Sequence, residues 1–210
     1  MRLRNVRGAK EKIESNDKVI LNPKEYRGSF NTLFNTGNDK LCIEIGMGKG
    51  KFIRDMAIKY PDVNFIGLEK FDSVMVRALE KTEGLDIPNL KYIREDATCI
   101  NEIFDHEIDT IYLNFSDPWP KNRHAIRRLT SINFLKKYDD IFKGTKHIIF
   151  KTDNRHLFEF SVKELTDYDY KIDELILDLY NEDTSDNVST EYEDKFSSKG
   201  DIIYKIEVHK

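Results

Sequence analysis

The sequence predicts an α/β chain doubly wound around a mostly parallel sheet, and three observations predict it. Short apolar runs alternate with segments of helical period, the pattern of strands joined by crossover helices. A glycine-rich turn, Gly46-Met47-Gly48-Lys49-Gly50, stands directly between the first such run and the first amphipathic helix. The last two strand patterns have no predicted helix between them, so they pair as a hairpin and leave one antiparallel strand near the C-terminal edge of a seven-stranded sheet.

Residues 1–20 are polar and basic, with no sustained apolar period, and read as a mobile arm ahead of a single domain over residues 21–210. A short helix is expected over 24–35, then a turn at 36–39. Residues 40–45 (K-L-C-I-E-I) form the first strand, and 51–60 a helix with Phe52, Ile53, Met56 and Ala57 on one face. Pro61-Asp62 stops that helix. Strands follow at 63–68 and 90–94, separated by a helix over 73–83, and a short helix is expected at 98–104. The fourth strand covers 109–114, a helix 130–142, the fifth strand 146–152 and a helix 156–165. Strands at 170–178 and 202–208 flank a long polar loop, 181–200.

With 210 residues the chain can bury a full-sized core, and its net charge of -4 does not mark a general polyanion binder. Charge is instead separated along the chain. Arg2, Arg4, Arg7, Lys10 and Lys12 make the start basic, the stretch 121–128 is basic, and 167–194 is rich in Asp and Glu. Cys42 and Cys99 have neither metal-ligand spacing nor a disulfide pattern, so no metal is expected. The charged start lacks an apolar core segment, and no run approaches the ~20 apolar residues of a membrane helix. A cytoplasmic protein without membrane contact is the expectation.

Residues 114–130, N-F-S-D-P-W-P-K-N-R-H-A-I-R-R-L-T, carry the densest chemistry. Two prolines flank the single Trp, so this stretch is a stiff loop after the fourth strand rather than part of it. Its first half is acidic and aromatic, its second half basic. In an open parallel sheet, ligands bind beyond the carboxyl ends of the strands. Here those ends carry Glu44, Glu69, Asp96, Asp117 and Asp153 in succession, and clustered carboxylates must be paired or solvated. The glycine loop lacks the P-loop pattern, and G-x-G-x-G is looser than a dinucleotide fingerprint. Glu69 suits a ribose diol. Glu44, two residues before Gly46, would repel a pyrophosphate and attract a sulfonium or ammonium group. Asp96 suits an adenine amine. The set therefore points to S-adenosyl-L-methionine rather than a nicotinamide cofactor.

The same residues carry a family resemblance. E-I-G-M-G-K-G-K-F at 44–52, G-L-E-K at 67–70, S-D-P-W-P-K-N-R-H at 116–124, R-R-L-T at 127–130, K-T-D-N at 151–154 and T-E-Y-E-D-K-F at 190–196 occur in order over essentially the whole chain. Together they resemble the bacterial tRNA (guanine-N7-)-methyltransferases. That resemblance implies a Rossmann-like, class I S-adenosyl-L-methionine-dependent methyltransferase that acts on a tRNA guanosine at position 46 of the variable loop. It implies that Glu44, Gly46, Gly48, Glu69, Asp96 and Asp117 line the cofactor pocket, with Asp117 also the catalytic candidate. Lys121, Asp153, Thr190, Glu191, Tyr192 and Glu193 would meet the guanosine. Arg123, His124, Arg127 and Arg128 would contact RNA. Where relatives often carry Glu-Lys, this chain has Ala125-Ile126, one basic residue fewer. The resemblance leaves monomer and homodimer open.

Guanine N7 has an in-plane lone pair and no proton, so its attack on a methyl needs positioning and electrostatics rather than a base. Trp119 is expected either to stack on a base or to wedge the loop. Two other readings stay open at this point. One is a methyltransferase of the same fold acting on a small molecule or protein amine; the other is a non-catalytic RNA-binding protein.

Overall fold

The computed structural model describes residues 6–182 and 185–210. Seven strands form one sheet in the order β3-β2-β1-β4-β5-β7-β6. They are β1 (Leu41–Ile45), β2 (Asn64–Leu68), β3 (Leu90–Ile93), β4 (Ile108–Asn114), β5 (Phe142–Thr152), β6 (Lys171–Ile176) and β7 (Tyr204–His209). The first five pair with one another in parallel, and β7 runs antiparallel between β5 and β6. β1 and β2 are buried at every position, as expected for strands covered on both faces. The winding reverses between β1 and β4, which opens a crevice at their carboxyl ends.

The α-helices are α1 (Ala9–Glu14), α2 (Lys51–Lys59), α3 (Asp72–Thr82), α4 (Ile100–Ile103), α5 (Ile132–Asp139), α6 (Arg155–Asp167) and α7 (Glu191–Ser197), and short 3₁₀ turns, among them Asn122–Arg127 after β4, join the elements. Strand alternation divides the core. Ile43, Ile111, Leu113, Ile148 and Phe150 pack with residues of α4, α5 and α6. On the opposite face Cys42, Phe65 and Tyr92 pack with α2 and α3. Among the described residues no helix is long and apolar enough to cross a membrane.

Several local expectations change. Residues 1–5 of the expected arm lie outside the described residues, but from residue 6 the segment is packed rather than free. Ala9 and Ile13 are buried, Lys12 pairs with Glu80 of α3, and Val19 bridges in parallel to Tyr92. The segment thereby covers the open edge of β3. The helix expected at 24–35 is two 3₁₀ turns, Pro23–Tyr26 and Phe30–Leu33. The reason is Glu107, whose carboxylate accepts the Gly28 and Phe30 amides at 2.9 Å each and so captures donors a helix would use. α5 starts two residues late because Thr130 is buried against Ser161, their hydroxyls 2.7 Å apart. It also ends early, since Phe142 opens β5 instead. The loop expected at 181–200 contains α7. Thr190 accepts the Glu193 amide while Glu193 reaches back to the Thr190 amide, a capping box.

Gly50 is where the turn into α2 leaves no choice of residue. Its φ is 73°, and a Cβ there would stand 2.8 Å from the Ala78 Cβ of α3. Gly50→Ala is therefore expected to destabilise the fold by about 2–4 kcal/mol, the sum of left-handed strain and overpacking. Urea unfolding measures it, and a loss below about 0.5 kcal/mol would show that the turn escapes the left-handed region and that α3 gives way to the added Cβ.

Candidate active site

The site assembles at the carboxyl ends of β1, β2, β3 and β4. Gly46 and Gly48 have φ of 79° and 59°, which turns the loop across toward β2. The Gly46 and Met47 amides both donate to the Leu68 carbonyl, at 2.8 and 3.1 Å. Glu69, one residue past β2, is mostly buried. Its carboxylate accepts the Gly48 amide at 3.2 Å, the Lys70 amide at 2.9 Å and the Phe71 amide at 3.0 Å. Burial raises its pKa despite those amides. Asp96 takes the Thr98 amide at 2.9 Å and the Thr98 hydroxyl at 2.8 Å. Burial pulls its carboxyl up, but Thr98 and Lys70 pull it further down. The result is a cavity of about 590 Å³ walled by Gly46, Glu69, Asp96, Ser116, Asp117 and Trp119 among others.

Beside it lies a row of buried polar side chains on the α2 face of the sheet. Glu44, 1% exposed, accepts the Asn114 side-chain amide at 2.9 Å. Burial pushes its carboxyl up to about 7, while Asn114 and the Lys151 charge pull it down. Its second oxygen, the Asn114 amide oxygen and the Ser116 hydroxyl are buried with no partner among the described residues. Orphaned acceptors and a hydroxyl beside a glycine loop fit a ligand that brings its own donors, as the ammonium of S-adenosyl-L-methionine would.

The loop after β4 is held under strain. Phe115 and Trp119 sit at φ 51° and 41°, a region non-glycine residues rarely occupy. Arg128 holds the loop there. Its Nε donates to the Pro118 carbonyl at 3.0 Å, its Nη2 to the Trp119 carbonyl at 3.1 Å, and its guanidinium lies 4.2 Å over the Phe160 ring. Arg128 is only 9% exposed, so the expectation that it contacts RNA does not fit its position. Lys121, Arg123 and Arg127 are exposed. Arg127 covers the Trp119 ring at 5.0 Å and His124 meets it edge-on at 5.8 Å.

Asp153 follows β5 and accepts the Tyr192 hydroxyl at 3.0 Å. That bond and, first, burial raise the Tyr192 hydroxyl pKa to about 12. The Tyr192 ring stacks on Phe196 at 4.1 Å and tilts against Phe115 at 5.0 Å, which brings α7 to the strained loop. The other residues of the 190–193 element are engaged elsewhere. Thr190 is buried as the cap of α7, Glu191 pairs with Lys81 of α3, and Glu193 is 0% exposed, its carboxylate 2.6 Å from the Lys151 ammonium.

Of the residues named from sequence, Gly46, Glu69, Asp96 and Asp117 meet around one cavity, with Glu44 buried beside it. Asp153 and Tyr192 join across the loop. Asn114, Ser116 and Lys151 join the site without any motif role in the sequence that marks them as ligands. For Lys151 the sequence does carry a signal, its place in K-T-D-N at a strand end, where a lysine inside an apolar run needs a buried partner.

Residues 38–206 match a family model described as "Putative methyltransferase". A protein of Lachnoclostridium phytofermentans is 45% identical over 98% of this chain and 97% of its own length. One of Bacillus cytotoxicus is 49% identical over 99% and 96%, and one of Bacillus subtilis 46% identical over 99% and 98%. All three bear the name tRNA (guanine-N(7)-)-methyltransferase. Among solved structures, an antibiotic-related methyltransferase superposes with a TM-score of 0.67 at 16% identity, covering 89% of this chain and 94% of that one. A SAM-dependent methyltransferase from Aquifex aeolicus gives 0.56 at 11% identity, covering 98% and 99%. At such identities the structures speak for the fold alone, a Rossmann-like S-adenosyl-L-methionine-dependent methyltransferase fold. The sequence relatives go further: this chain belongs to the tRNA (guanine-N(7)-)-methyltransferase family.

Proposed function

We propose that the protein transfers the methyl group of S-adenosyl-L-methionine to N7 of the guanosine at position 46 in the tRNA variable loop, in the cytoplasm. The observation that carries this reading is the loop after β4. It sets Asp117, Trp119 and Arg127 on the cavity wall and leaves Lys121 and Arg123 exposed on the same loop, where a polyanion can reach them. When bound, S-adenosyl-L-methionine would supply a methyl electrophile whose sulfur leaves with the bonding pair, so N7 needs no activation by a base.

Glu69 accepts from ribose hydroxyls, Asp96 from the adenine amine, and Glu44 through its orphaned oxygen from the ammonium. Asp117 offsets the positive charge that grows on the purine as N7 is alkylated. Lys121 donates to guanine O6. Asp153, anchored through one oxygen by Tyr192, accepts from guanine N1–H and N2–H2 and so selects guanine over adenine. Trp119, with Arg127 and His124 against it, offers a stacking surface, and Arg123 and Arg127 track phosphates.

Incubation of the protein with methyl-labelled S-adenosyl-L-methionine and unmodified tRNA tests this, with the label located by borohydride and aniline cleavage. Cleavage at a variable-loop guanine is expected. Cofactor binding with no label on any tRNA would send the activity to small-molecule or protein acceptors.

A further inference from the structure

Helix α7 spans Glu191–Ser197, too short to persist on backbone propensity. Side chains from the sheet and from α2 and α3 hold it. Lys51 of α2 donates to the Ser189 carbonyl at 3.1 Å and hydroxyl at 2.8 Å, and Lys81 of α3 pairs with Glu191. At the centre is Lys151 of β5, its side chain 3% exposed against 0% for Glu193. The Lys151 ammonium has three hydrogens and three acceptors: Glu193 Oε2 at 2.6 Å, the Val188 carbonyl at 2.9 Å and Asn187 Oδ1 at 3.1 Å.

Glu193 is saturated in the same way. Its Oε2 takes Lys151 and the Thr190 amide, and its Oε1 takes the Asn187 side-chain amide at 2.7 Å and the Tyr180 hydroxyl at 3.2 Å. Four donors on four lone pairs leave the carboxylate nothing to offer a base. Tyr192, one residue earlier, points the other way on the helix. It is 42% exposed and reaches Asp153 and Phe115 at the strained loop.

We infer that Lys151 and Glu193 are positioning residues, a buried strut that seats α7 so that Tyr192 and Asp153 meet the substrate purine, and that Glu193 does not itself touch the guanine. This rests on the guanine-N7 reading above. Desolvation explains why the strut must act as a unit. Two charges removed from water are tolerated only together, and removal of one leaves the other buried and uncompensated. An apolar pair of similar volume removes both charge penalties at once, so it restores the seat of α7 further than either single substitution does, while the Asn187, Val188 and Tyr180 partners turn to one another or to water.

That asymmetry supplies the test, with three variants: Lys151→Met, Glu193→Leu and the double substitution. Turnover is measured on tRNA at pH 8.5, binding of S-adenosylhomocysteine by calorimetry, and amide hydrogen exchange over residues 190–197 on the protein alone. Each single variant is expected to lower kcat roughly 30–100-fold and to speed exchange in α7 at least about tenfold. The double variant should regain protection in α7 and recover at least about tenfold in kcat over the weaker single. If the double variant regains protection, binds S-adenosylhomocysteine, and yet turns over no faster than Glu193→Leu, Glu193 contacts the guanine and the inference is overturned. If the singles leave exchange in α7 unchanged, the strut does not exist. Exchange reads the strut even if the wild-type protein labels no guanine N7, so a failure of the functional reading stands apart from a failure of this one.

Discussion

Replacing Arg128 with lysine is expected to lower kcat for tRNA methylation roughly 30–100-fold although the positive charge is kept. Arg128 bonds two consecutive carbonyls, Pro118 at 3.0 Å and Trp119 at 3.1 Å, through Nε and Nη2 of one rigid plane. That plane also lies 4.2 Å over the Phe160 ring. Lysine offers a single ammonium that cannot reproduce the fork or the stacking. The clamp matters because the loop it holds is strained. Trp119 at φ 41° and Phe115 at φ 51° each cost on the order of 1–3 kcal/mol and persist only while surrounding contacts over-determine them. Released, the loop relaxes and Asp117 leaves its place on the cavity wall. Steady-state kinetics at two salt concentrations separate this from RNA contact. A clamp predicts a fall in kcat with the KM for tRNA and its salt dependence nearly unchanged. A raised KM with a salt slope reduced by about one would mean that Arg128 meets a phosphate after all. Arg127→Ala, at an exposed position, should give that second pattern.

Glu44→Gln is expected to weaken S-adenosylhomocysteine binding at pH 8 by about 2–3 kcal/mol, roughly 30–150-fold, while making the ligand-free protein more stable. Burial holds the Glu44 carboxyl up at about 7 against an ordinary 4.5. A carboxyl raised in the folded state favours its protonated form. Glu44 therefore costs nothing below about pH 4.5, and an increasing amount as pH rises, reaching about 3 kcal/mol above pH 7. Glutamine stays neutral and removes that penalty. Glu69 is raised by the same cause, so its share of the slope remains in both proteins. A cationic ligand group reverses the sign at Glu44, because it needs the ionised form. Wild-type affinity should accordingly rise from pH 6 to pH 8, and the rise should be smaller in the variant. Thermal melts with and without S-adenosylhomocysteine at both pH values read all three effects. Equal affinity in the two proteins, or wild-type affinity that falls with pH, would remove Glu44 from the cofactor site.

The pattern of the chain held the topology and the ligand end of the sheet. Apolar period separates strands from crossover helices, and ligands of an open parallel sheet bind beyond its carboxyl strand ends, so Gly46, Glu69, Asp96 and Asp117 are legible as neighbours from the pattern alone. A capping box was also present in the letters, Thr190 with Glu193 three residues on, but its position in a polar stretch hid the helix.

What the letters could not carry is which charged side chains are buried. Arg127 and Arg128 are adjacent and chemically identical, yet one is exposed over Trp119 and the other is buried beneath the loop. Glu191 and Glu193 likewise differ by two places; one pairs with Lys81, and the other is sealed against Lys151. The basic arm showed the same ambiguity, since Ala9, Ile13 and Val19 are too sparse to reveal a period yet find the edge of β3. Hydrophobic period is a local property, repeated every two or 3.6 residues along the chain. Desolvation of a charge depends on partners distant in sequence, such as Phe160 for Arg128 and β5 for Glu193, and those partners exist only once the sheet is assembled.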